Sequence, residues 1–437
     1  MENITKLDTE TDLPKNFYLN NQIKELFDIV ENENKHFLLT GKAGTGKSTF
    51  IEYLRINSKK KLQILAFTGI AALKGKGRTI HSFFELPHRI LNKKKDFKVL
   101  KNNAWINKLD LIIVDEVSMV RADLIDAVDQ CLRINRKKDM PFGGVQMLFA
   151  GDVFQMPPII NTLEKPVLLK YYPDGPYFFN SKSYLKINPS YIEFRKVYRQ
   201  KDKRFVEALE DVRRNRITPK LLNYFNQRVV TNFNEIPSGL IILAPTNLRT
   251  YQINNTKLNE LNTQKFAFEA TISGNFNISD MPTERNLELK VGAQVMMIKN
   301  DRSGRWVNGT LAYVVKLNEN TVVVKIGNKL HQVEEDLWEK WDYKVVEKKY
   351  EPEVIGTFTQ YPIKLAWAAT IHKCQGQTFE NAVIDFDSGA FSHGMVYVAL
   401  SRVKSLNGLF LIRALEKHDV VFDQKINKFV SQNELLL

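Results

Sequence analysis

Residues 41–48 carry the strongest chemical signal in the chain, because Gly-Lys-Ala-Gly-Thr-Gly-Lys-Ser fits the phosphate-loop pattern G-x-x-x-x-G-K-[ST]. An apolar stretch, residues 36–40, precedes the loop, and residues 50–54 follow it with helical spacing. At the start of a helix, backbone N–H groups point at phosphate oxygens, Lys47 reaches the β- and γ-phosphates, and Ser48 ligates magnesium. The sequence therefore predicts a nucleotide site formed by Gly41, Ala43, Gly44, Thr45, Gly46, Lys47, Ser48 and Thr49.

Polar residues also follow two later apolar stretches. Residues 111–114 lead into Asp115 and Glu116, and residues 146–150 lead into a loop that contains Gln155. One carboxylate of the acidic pair would hold magnesium, and the other would orient or deprotonate the attacking water. Gln155 would lie where a γ-phosphate can be sensed. We expect the acidic pair on a strand next to the phosphate-loop strand in a parallel sheet.

The elements that must position these residues follow from hydrophobic patterning. Short apolar runs that end near Gly, Asp or Pro predict buried strands at residues 36–40, 63–67, 111–114, 146–150, 240–244, 382–386 and 409–412. Helical spacing links Ile23, Leu26, Phe27 and Val30, and again Leu124, Val128, Cys131 and Leu132. Buried strands alternating with amphipathic helices indicate an α/β fold, with parallel sheets covered by helices on both faces. Residues 266–351 alternate apolar and polar side chains instead, which predicts a small antiparallel β unit.

Composition narrows the class of protein. The chain has 437 residues, of which 43% are hydrophobic and 26% charged, so a disordered or fibrous protein does not fit. The two cysteines, Cys131 and Cys374, are too few for a disulfide framework or a zinc knuckle. The polar N-terminus lacks a signal-peptide pattern and no apolar run is long enough to span a membrane, so we expect a cytoplasmic protein. A net charge of +14 suggests a polyanionic partner, although surplus charge also serves solubility.

The motifs, taken in order, resemble those of superfamily-one helicases, specifically the Pif (petite-integration-frequency) family of the 5′-to-3′ branch in its bacterial or phage type. The residues that carry the resemblance lie at 41–48, 68–72, 79–84, 115–119, 141–146, 151–158, 198–200, 365–378 and 397–402. The stretch Pro-Phe-Gly-Gly-Val-Gln at 141–146 is the most family-specific of these. Together they extend over most of the chain, from about residue 17 to 410.

The resemblance implies a nucleotide site for ATP and Mg²⁺. Ser48 and Asp115 would hold the metal, and the catalytic residues would be Lys47, Glu116, Gln155, Arg199 and Arg402. Gln22 resembles a glutamine that reads adenine, Tyr198 a residue that stacks on the base, and Gly376 belongs to a motif at the same site. Arg199 and Arg402 are similar to two arginines that the second RecA-like domain presents to the γ-phosphate across the interdomain cleft.

The resemblance also implies contacts with a single DNA strand. The matching residues are Thr68, Gly69, Thr79, His81, Phe83, Thr246, Asn247, Thr370, His372 and Lys373. Hydroxyl groups, imidazoles and backbone amides bind phosphates without reading sequence. Phe83 and its neighbour Phe84 would either stack on bases or pack in a core.

The implied architecture is two RecA-like P-loop NTPase domains with two insertions. The first RecA-like domain would comprise residues 1–73 and 106–185, interrupted by a small basic wedge at 74–105. The second would comprise residues 186–265 and 352–437, interrupted by a small Src-homology-like β-barrel at 266–351. The wedge would split the duplex, and residues 302–308 of the barrel would guide the strand.

The implied function is an ATP-dependent DNA helicase that translocates 5′-to-3′ on single-stranded DNA and unwinds duplex or forked DNA, with R-loops and G-quadruplexes as further substrates. The protein would act as a monomer in solution, in DNA repair, recombination and telomere maintenance. Three alternatives remain at this point: a RecD- or Dda-like member of the same branch, an RNA helicase of the same superfamily, and an ATP-gated single-strand clamp. A clamp would need no hydrolytic residues.

The basic surplus is concentrated in one part of the sequence. Residues 59–101 contain twelve Lys and Arg side chains against two acidic ones, a local excess of ten positive charges. This stretch surrounds the second motif and the predicted wedge. We therefore expect it to bind the phosphate backbone, and we expect DNA affinity to fall with salt.

Overall fold

The computed structural model describes most of the chain between residues 21 and 434. The described ranges are 21–68, 72, 77–87, 89–91, 97–100, 103–160, 164–230, 237, 239–276, 281–301, 303–306, 308–346, 349–386 and 389–434. The chain forms two compact units. The first comprises Met1–Val206, Ser392–Gly394 and Phe422–Leu437, and the second comprises Glu207–Phe391 and Met395–Val421.

A sheet of six parallel strands forms the centre of the first unit. Its strands are β1 (Phe37–Gly41), β2 (Leu62–Ala66), β3 (Arg78–Thr79), β4 (Leu111–Asp115), β5 (Gln146–Ala150) and β6 (Ser190–Phe194). Their order across the sheet is β3-β2-β4-β5-β1-β6. Every pairing is parallel, and the register sets Leu38 beside Phe149 and Leu39 beside Ile192.

Both faces of this sheet are buried, which explains why its inner strands are continuous apolar runs. In β4, Ile112 and Val114 face one hydrophobic cluster, while Leu111 and Ile113 face another. The first cluster is covered by helix Ala122–Arg136 and the second by helices Asn21–Asn32 and Lys47–Asn57. The remaining helices of this unit are Ile80–Phe84, Asn103–Lys108, Lys165–Tyr171, Lys182–Ile187 and Gln424–Glu434, and helix Lys203–Arg213 contains the boundary between the units.

The second unit has its own parallel sheet of four strands. The strands are β7 (Ile241–Ala244), β18 (Ala368–Thr370), β19 (Ala382–Ile384) and β20 (Leu409–Leu411), in the order β18-β7-β19-β20. All three pairings are parallel. The helices of this unit are Pro219–Asn226, Asn247–Glu260 and Met395–Leu400.

Between β7 and β18 the chain forms three antiparallel sheets. The strands are β8 (Lys265–Glu269), β9 (Thr271–Gly274), β10 (Asn286–Lys290), β11 (Gln294–Met297), β12 (Leu311–Asn318), β13 (Thr321–Ile326), β14 (Lys329–Val333), β15 (Asp336–Val346), β16 (Lys349–Gln360) and β17 (Ile363–Leu365). The five-stranded sheet has the order β14-β13-β12-β11-β17 and contributes Val295, Val314 and Val324 to a separate core. The predicted antiparallel unit is thus present.

The predicted domain limits need four corrections. The proposed wedge at 74–105 contains β3, which pairs with β2, and helix Ile80–Phe84, which packs in the first core. The second domain does not begin at residue 186, because β6 pairs with β1 in the first sheet. The antiparallel part extends to β17 rather than ending at residue 351, and the C-terminal helix Gln424–Glu434 belongs to the first unit.

All seven strands predicted from apolar runs are present, and so are the helices predicted from Ile23–Val30 spacing and from Leu124–Leu132 spacing. Three strands of the two parallel sheets were not predicted, namely β3, β6 and β18, which have two, five and three residues. Strand β6 lies at the edge of its sheet and contains polar side chains. It therefore lacks the continuous apolar run from which the other strands were predicted. No helix in the described part of the chain combines the length and apolar character needed to cross a bilayer.

Candidate active site

The phosphate loop joins the end of β1 to helix Lys47–Asn57, as the sequence predicts. Gly41, Gly44 and Gly46 all have positive φ values. A Cβ atom on Gly41 would lie 2.4 Å from the Phe194 carbonyl oxygen, and one on Gly44 would lie 2.4 Å from the Arg199 Cβ. These two glycines are therefore required both by backbone conformation and by close packing.

The Lys47 ammonium lies over this loop. Its Nζ donates to the carbonyl oxygens of Gly41, at 2.7 Å, and Lys42, at 3.0 Å. Thr45 Oγ1 also donates to the Lys42 carbonyl, at 2.9 Å, which helps to hold the turn. Ser48 and Thr49 follow in the first turn of the helix, where Ser48 is exposed. The loop thus presents a cation, hydroxyl groups and a helix N-terminus at one place, which suits a bound triphosphate.

The acidic pair lies at the end of β4, but β4 is not the neighbour of β1. Strand β5 lies between them and carries the Gln155 loop at its end. Our expectation of adjacent strands was therefore wrong. The arrangement still brings all three groups to the carboxyl edge of one sheet, because every pairing from β4 to β1 is parallel.

Glu116 adopts a left-handed backbone conformation, with φ 50° and ψ 44°. Its N–H donates to Asp115 Oδ1 at 2.9 Å. A non-glycine residue in this region costs roughly 1 to 3 kcal/mol and is found preferentially at functional sites. The strained turn directs two consecutive carboxylates away from the strand, and both side chains are half-buried.

Gln155 is buried, with 5% exposure, and its Oε1 has no hydrogen-bond partner in the described part of the chain. The loop that holds it is closed by a bond from the Gln155 N–H to the Asp152 carbonyl, 3.0 Å, and by one from the Phe154 N–H to Asp152 Oδ1, 3.2 Å. A buried acceptor without a partner is costly in a folded protein. The Gln155 amide is therefore suited to accept from a water or to contact a phosphate.

Arg199 and Tyr198 lie beside the phosphate loop, within the first unit. The Tyr198 N–H donates to the Gly44 carbonyl at 2.8 Å, and the Tyr198 ring, 52% exposed, lies about 4 Å from the position of a Cβ on Gly46. The base-stacking role of Tyr198 stays a prediction. The expectation that the second domain presents Arg199 was wrong, because β6 and the residues after it belong to the first unit.

Arg402 lies in the second unit, one residue after Ser401 and close to the end of helix Met395–Leu400. Its guanidinium is only 1% exposed. It donates to the Val398 carbonyl at 2.8 Å, to the Gln377 carbonyl at 3.1 Å and to Ser401 Oγ at 2.8 Å. A phosphate contact would require Arg402 to exchange these bonds.

Two further predicted cofactor residues have no special environment. Gln22 is exposed in the first turn of helix Asn21–Asn32, and Gly376 is half-buried with a φ of +79°.

Several predicted DNA contacts are engaged inside the fold. Thr79 and Thr246 cap helices, with Thr79 Oγ1 accepting from the Ser82 N–H and Thr246 Oγ1 from the Arg249 N–H. Thr370 is buried, and its hydroxyl accepts from the Lys373 N–H at 3.4 Å. His81 is also buried, with its ring edge-on to Phe67.

Phe83 is 7% exposed and packs edge-on against Phe84 in the first core, with ring centroids 4.8 Å apart. The structure therefore contradicts Phe83 as a base-stacking residue. Helix Ile80–Phe84 turns this side chain towards the core of the first unit.

Four predicted DNA contacts have accessible side chains. Asn247 and Lys373 are exposed, and Thr68 and His372 are half-buried. Burial lowers the pKa of His372, which favours the neutral imidazole. Gly69 lies outside the described residues.

The sequence analysis missed two residues next to these contacts. Phe391, 61% exposed, stacks on the His372 ring with centroids 6.4 Å apart and an interplanar angle of 23°. The second residue is Lys364, whose ammonium group lies near that of Lys373. Burial and the positive charge of Lys373 lower the pKa of Lys364. No sequence motif marks Phe391, since only its exposure and its stacking on His372 set it apart.

No cluster of three or more His, Cys, Asp or Glu side chains that could form a metal site occurs among the described residues. Ser48 and Asp115 nevertheless fit magnesium by the chemistry of their donors, a hydroxyl and a carboxylate. Magnesium prefers oxygen ligands and usually keeps several waters beside one or two carboxylates and the phosphates of a substrate.

Comparison with known proteins identifies the family. A model of the PIF1-like helicases matches residues 18–219, and a model described as "DNA helicase Pif1, 2B domain" matches residues 275–317. The chain is 31% identical to the Bacteroides Pif1 whose crystal structure contains single-stranded DNA, with a TM-score of 0.75 and coverage of 96% of this chain and 98% of that one. This chain belongs to the PIF1-like helicase family.

Other members of the PIF1-like helicase family agree. The "ATP-dependent DNA helicase Pif1" of Bdellovibrio bacteriovorus is 29% identical over 421 residues, which cover 93% of this chain and 90% of that protein. A Bacteroides sp Pif1 in complex with ADP-AlF4 is 30% identical, with a TM-score of 0.83 and coverage of 96% of this chain and 98% of that one. The RecA-like α/β architecture expected from the resemblance is thereby confirmed, and the match at 275–317 supports the β insertion.

Proposed function

We propose that this protein is an ATP-dependent DNA helicase that translocates 5′-to-3′ on single-stranded DNA and unwinds duplex DNA. The observation that carries the proposal is the common sheet edge of the phosphate loop, the Asp115–Glu116 pair and Gln155, in a chain of the PIF1-like family. The three groups supply a phosphate cradle, a base for water and a polar group for the γ-phosphate. The polarity follows from the family resemblance.

A strand-displacement assay tests this proposal directly. Duplexes with a 5′ single-stranded tail, a 3′ tail or blunt ends are compared with and without ATP. We expect displacement only of the 5′-tailed duplex and only with ATP. Equal displacement of the 3′-tailed duplex would refute the polarity, and ATP turnover without any displacement would favour the ATP-gated clamp.

Magnesium is the metal that this site suits, with Ser48 and Asp115 as its protein ligands. When bound with ATP, it would supply positive charge that neutralises the phosphates. The residues of the chain perform the other tasks: Lys47 binds phosphate, Glu116 takes a proton from the attacking water, and Gln155 orients that water. Tyr198 stacks on the base beside Gly46, and Arg199, from the same unit, lies next to Gly44. The role of Arg402 at the γ-phosphate is carried over from the resemblance alone.

Single-stranded DNA and forked duplexes are the proposed partners. Support comes from the exposed Asn247 and Lys373 and from the accessible ring of Phe391. DNA and RNA cofactors are compared for stimulation of ATP turnover, since only RNA offers 2′-hydroxyl groups. Stronger stimulation by RNA would favour the RNA-helicase alternative.

We place the strand-separating function in the wedge at 74–105, apart from residues 78–84, Leu91 and Leu100, which are part of the first sheet or the first core. The test is a deletion of residues 93–95, which removes three lysines and no residue assigned to the first core. It should reduce duplex unwinding while single-stranded DNA still stimulates ATP turnover. Loss of both activities would count against a wedge.

The protein acts as a monomer in the cytoplasm in this proposal. Both cysteines are buried and unpaired, and a chain without a disulfide suits a reducing compartment. Sedimentation analysis with and without a forked duplex tests the oligomeric state.

A further inference from the structure

A segment of three residues belongs to a different unit from the residues on either side of it in the sequence. Ser392–Gly394 belongs to the first unit, although Phe391 before it and Met395 after it belong to the second. The segment is followed at once by helix Met395–Leu400, after which come Ser401 and Arg402. Contacts of Gly394 and His393 hold this segment in the first unit.

Gly394 makes the closest of these contacts, with the backbone of the Gln155 loop. Its φ is +72°, and a Cβ atom would lie 2.4 Å from the Phe154 carbonyl oxygen and 2.9 Å from the Gln155 carbonyl carbon. Real Cβ atoms essentially never approach another heavy atom closer than 3.0 Å, so a side chain here requires a shift of at least about 0.6 Å, from 2.4 to 3.0 Å. The backbone of Gly394 thus lies directly on the residue 154–155 peptide.

His393 fixes the segment from the other side. Its side chain is 4% exposed, and Nδ1 accepts from the Asp423 N–H at 3.1 Å. The ring lies edge-on to Phe422, with centroids 5.0 Å apart, and Phe422 stacks on Phe154 at 6.4 Å. A row of three rings therefore joins His393 to the residue before Gln155.

We propose that Gly394 and His393 are positioning residues for ATP hydrolysis, because they fix the residue 154–155 peptide and through it the Gln155 side chain. This inference rests on the proposed role of Gln155. Hydrogen bonds from the N–H groups of Phe154 and Gln155 to Asp152 also hold this loop.

The magnitude is large enough to measure. A displacement of about 1 Å in a reacting group can cost about 10²-fold in rate. Gly394→Ala forces a shift of at least about 0.6 Å at the Phe154 carbonyl, which is of the same order. The binding of ATP and of DNA depends on other residues, so kcat should change much more than KM.

Gly389→Ala is the matched control. Gly389 lies five residues earlier and also has a positive φ, +82°, but the nearest atom to its Cβ position is Asp419 Oδ1 at 3.7 Å. Both substitutions therefore place alanine in a left-handed conformation, and only Gly394→Ala meets backbone. We expect kcat of the DNA-stimulated ATPase to fall at least tenfold in Gly394→Ala and less than threefold in Gly389→Ala. The KM for ATP, the Kd for single-stranded DNA and Tm should be similar in the two variants.

A double-mutant cycle with Gln155→Ala separates positioning from a general effect. If Gly394 acts through Gln155, the double variant should have nearly the same kcat as Gln155→Ala alone. Multiplied effects of the two substitutions would overturn the inference, and so would equal kcat in Gly394→Ala and Gly389→Ala. Wild-type kcat in Gln155→Ala would refute the role of Gln155 and, with it, this inference. The proposed helicase activity would not be affected by that result, because the strand-displacement assay tests it separately.

Substitution of His393 provides a second test of the inference, one that does not depend on placing alanine at a positive φ. The amide oxygen of His393→Asn can still accept from the Asp423 N–H, whereas His393→Ala has no acceptor. We expect His393→Asn to retain most of kcat and His393→Ala to lose it. Equal kcat in the two variants, at equal Tm, would contradict the positioning role of His393.

Discussion

At the scale of single residues, types and spacing predicted the hydrolytic groups, and the structure showed their surroundings. Lys47, Asp115, Glu116 and Gln155 were all predicted from motifs at strand ends. Their placement at one sheet edge follows from parallel pairing, which local sequence does not show. The strained φ of Glu116 and the missing partner of Gln155 Oε1 could be seen only in three dimensions.

Glu116→Gln should end ATP turnover while leaving binding intact. The amide keeps the shape of the side chain but cannot accept the proton of the attacking water. We expect kcat to fall by about 10² to 10⁴, the usual contribution of a general base. Steady-state turnover and equilibrium binding of ATP and of single-stranded DNA measure the two effects.

The control for this variant is Glu269→Gln, an exposed carboxylate on β8 in the antiparallel part of the chain. It should have wild-type turnover. If Glu116→Gln also turned over ATP at a normal rate, Glu116 would not be the base.

Substitution of Phe83 and of Phe391 should have opposite effects on stability and on DNA affinity, because Phe83 is buried and Phe391 is exposed. Phe83→Ala should destabilise the fold by roughly 3 to 5 kcal/mol, as a large side chain removed from a core does. Phe391→Ala should leave stability unchanged and weaken single-stranded DNA binding by roughly 1 to 3 kcal/mol, the usual value for a base stacked on a ring.

Urea unfolding and fluorescence anisotropy with a labelled oligonucleotide measure these two quantities. A loss of DNA affinity in Phe83→Ala without loss of stability would restore Phe83 as a DNA contact. Wild-type affinity in Phe391→Ala would remove Phe391 from the DNA site.

At the scale of elements, long apolar runs and strong helical spacing were sufficient to predict the inner strands and major helices. Strands β3 and β18 were missed because two or three residues contain no period, and β6 because an edge strand keeps polar side chains. The C-terminal helix Gln424–Glu434 was assigned to the wrong unit. Its Ile426 and Val430 pack in the first core, and Phe429 stacks on Phe179 at 4.0 Å.

The burial of His393 should make the stability of the protein depend on pH. Burial lowers the pKa of His393 from 6.5 to about 4, while Asp423 and Asp152 act in the opposite direction. Between these values the unfolded state binds a proton that the native state does not. Stability should therefore fall as the pH decreases from about 6.5 to about 4, by up to about 3 kcal/mol from this residue.

Urea unfolding of the wild type and of His393→Asn across this pH range measures the contribution. The variant should have the flatter profile, and His418→Asn, which removes an exposed histidine, should follow the wild type. Parallel profiles for wild type and His393→Asn would show that His393 is not held neutral in the fold.

At the scale of the whole molecule, the structure divides the basic surplus into structural and accessible charges. Lys60 was counted among the DNA-facing lysines, but its Nζ donates to the Val30 carbonyl and to Gln146 Oε1, both at 2.6 Å. Lys59, Lys60 and Lys61 precede β2 and so lie at the amino edge of the sheet, opposite the nucleotide site. Lys98 pairs with Glu85. Much of the expected phosphate-binding charge therefore serves other contacts, or lies outside the described residues.

A comparison of Lys373→Ala with Lys60→Ala tests this division. Each phosphate contact on a single strand contributes about 0.7 to the slope of log affinity against log salt. Lys373→Ala should reduce the slope by about that amount, whereas Lys60→Ala should leave the slope unchanged and lower Tm. DNA affinity measured at several salt concentrations decides between them, and a reduced slope in Lys60→Ala would return Lys60 to the DNA surface.

The sequence by itself determined the family and the inner strands of both parallel sheets, and it predicted the hydrolytic residues. These depend on residue types at fixed spacing, and neighbours along the chain set that spacing. Only the tertiary structure decided that Arg199 belongs with the phosphate loop, that Phe83 is buried, that Lys60 is structural, and that Gly394 lies on the Gln155 loop. Each of these depends on contacts between residues far apart in the chain, because burial and partners are set by packing rather than by local pattern.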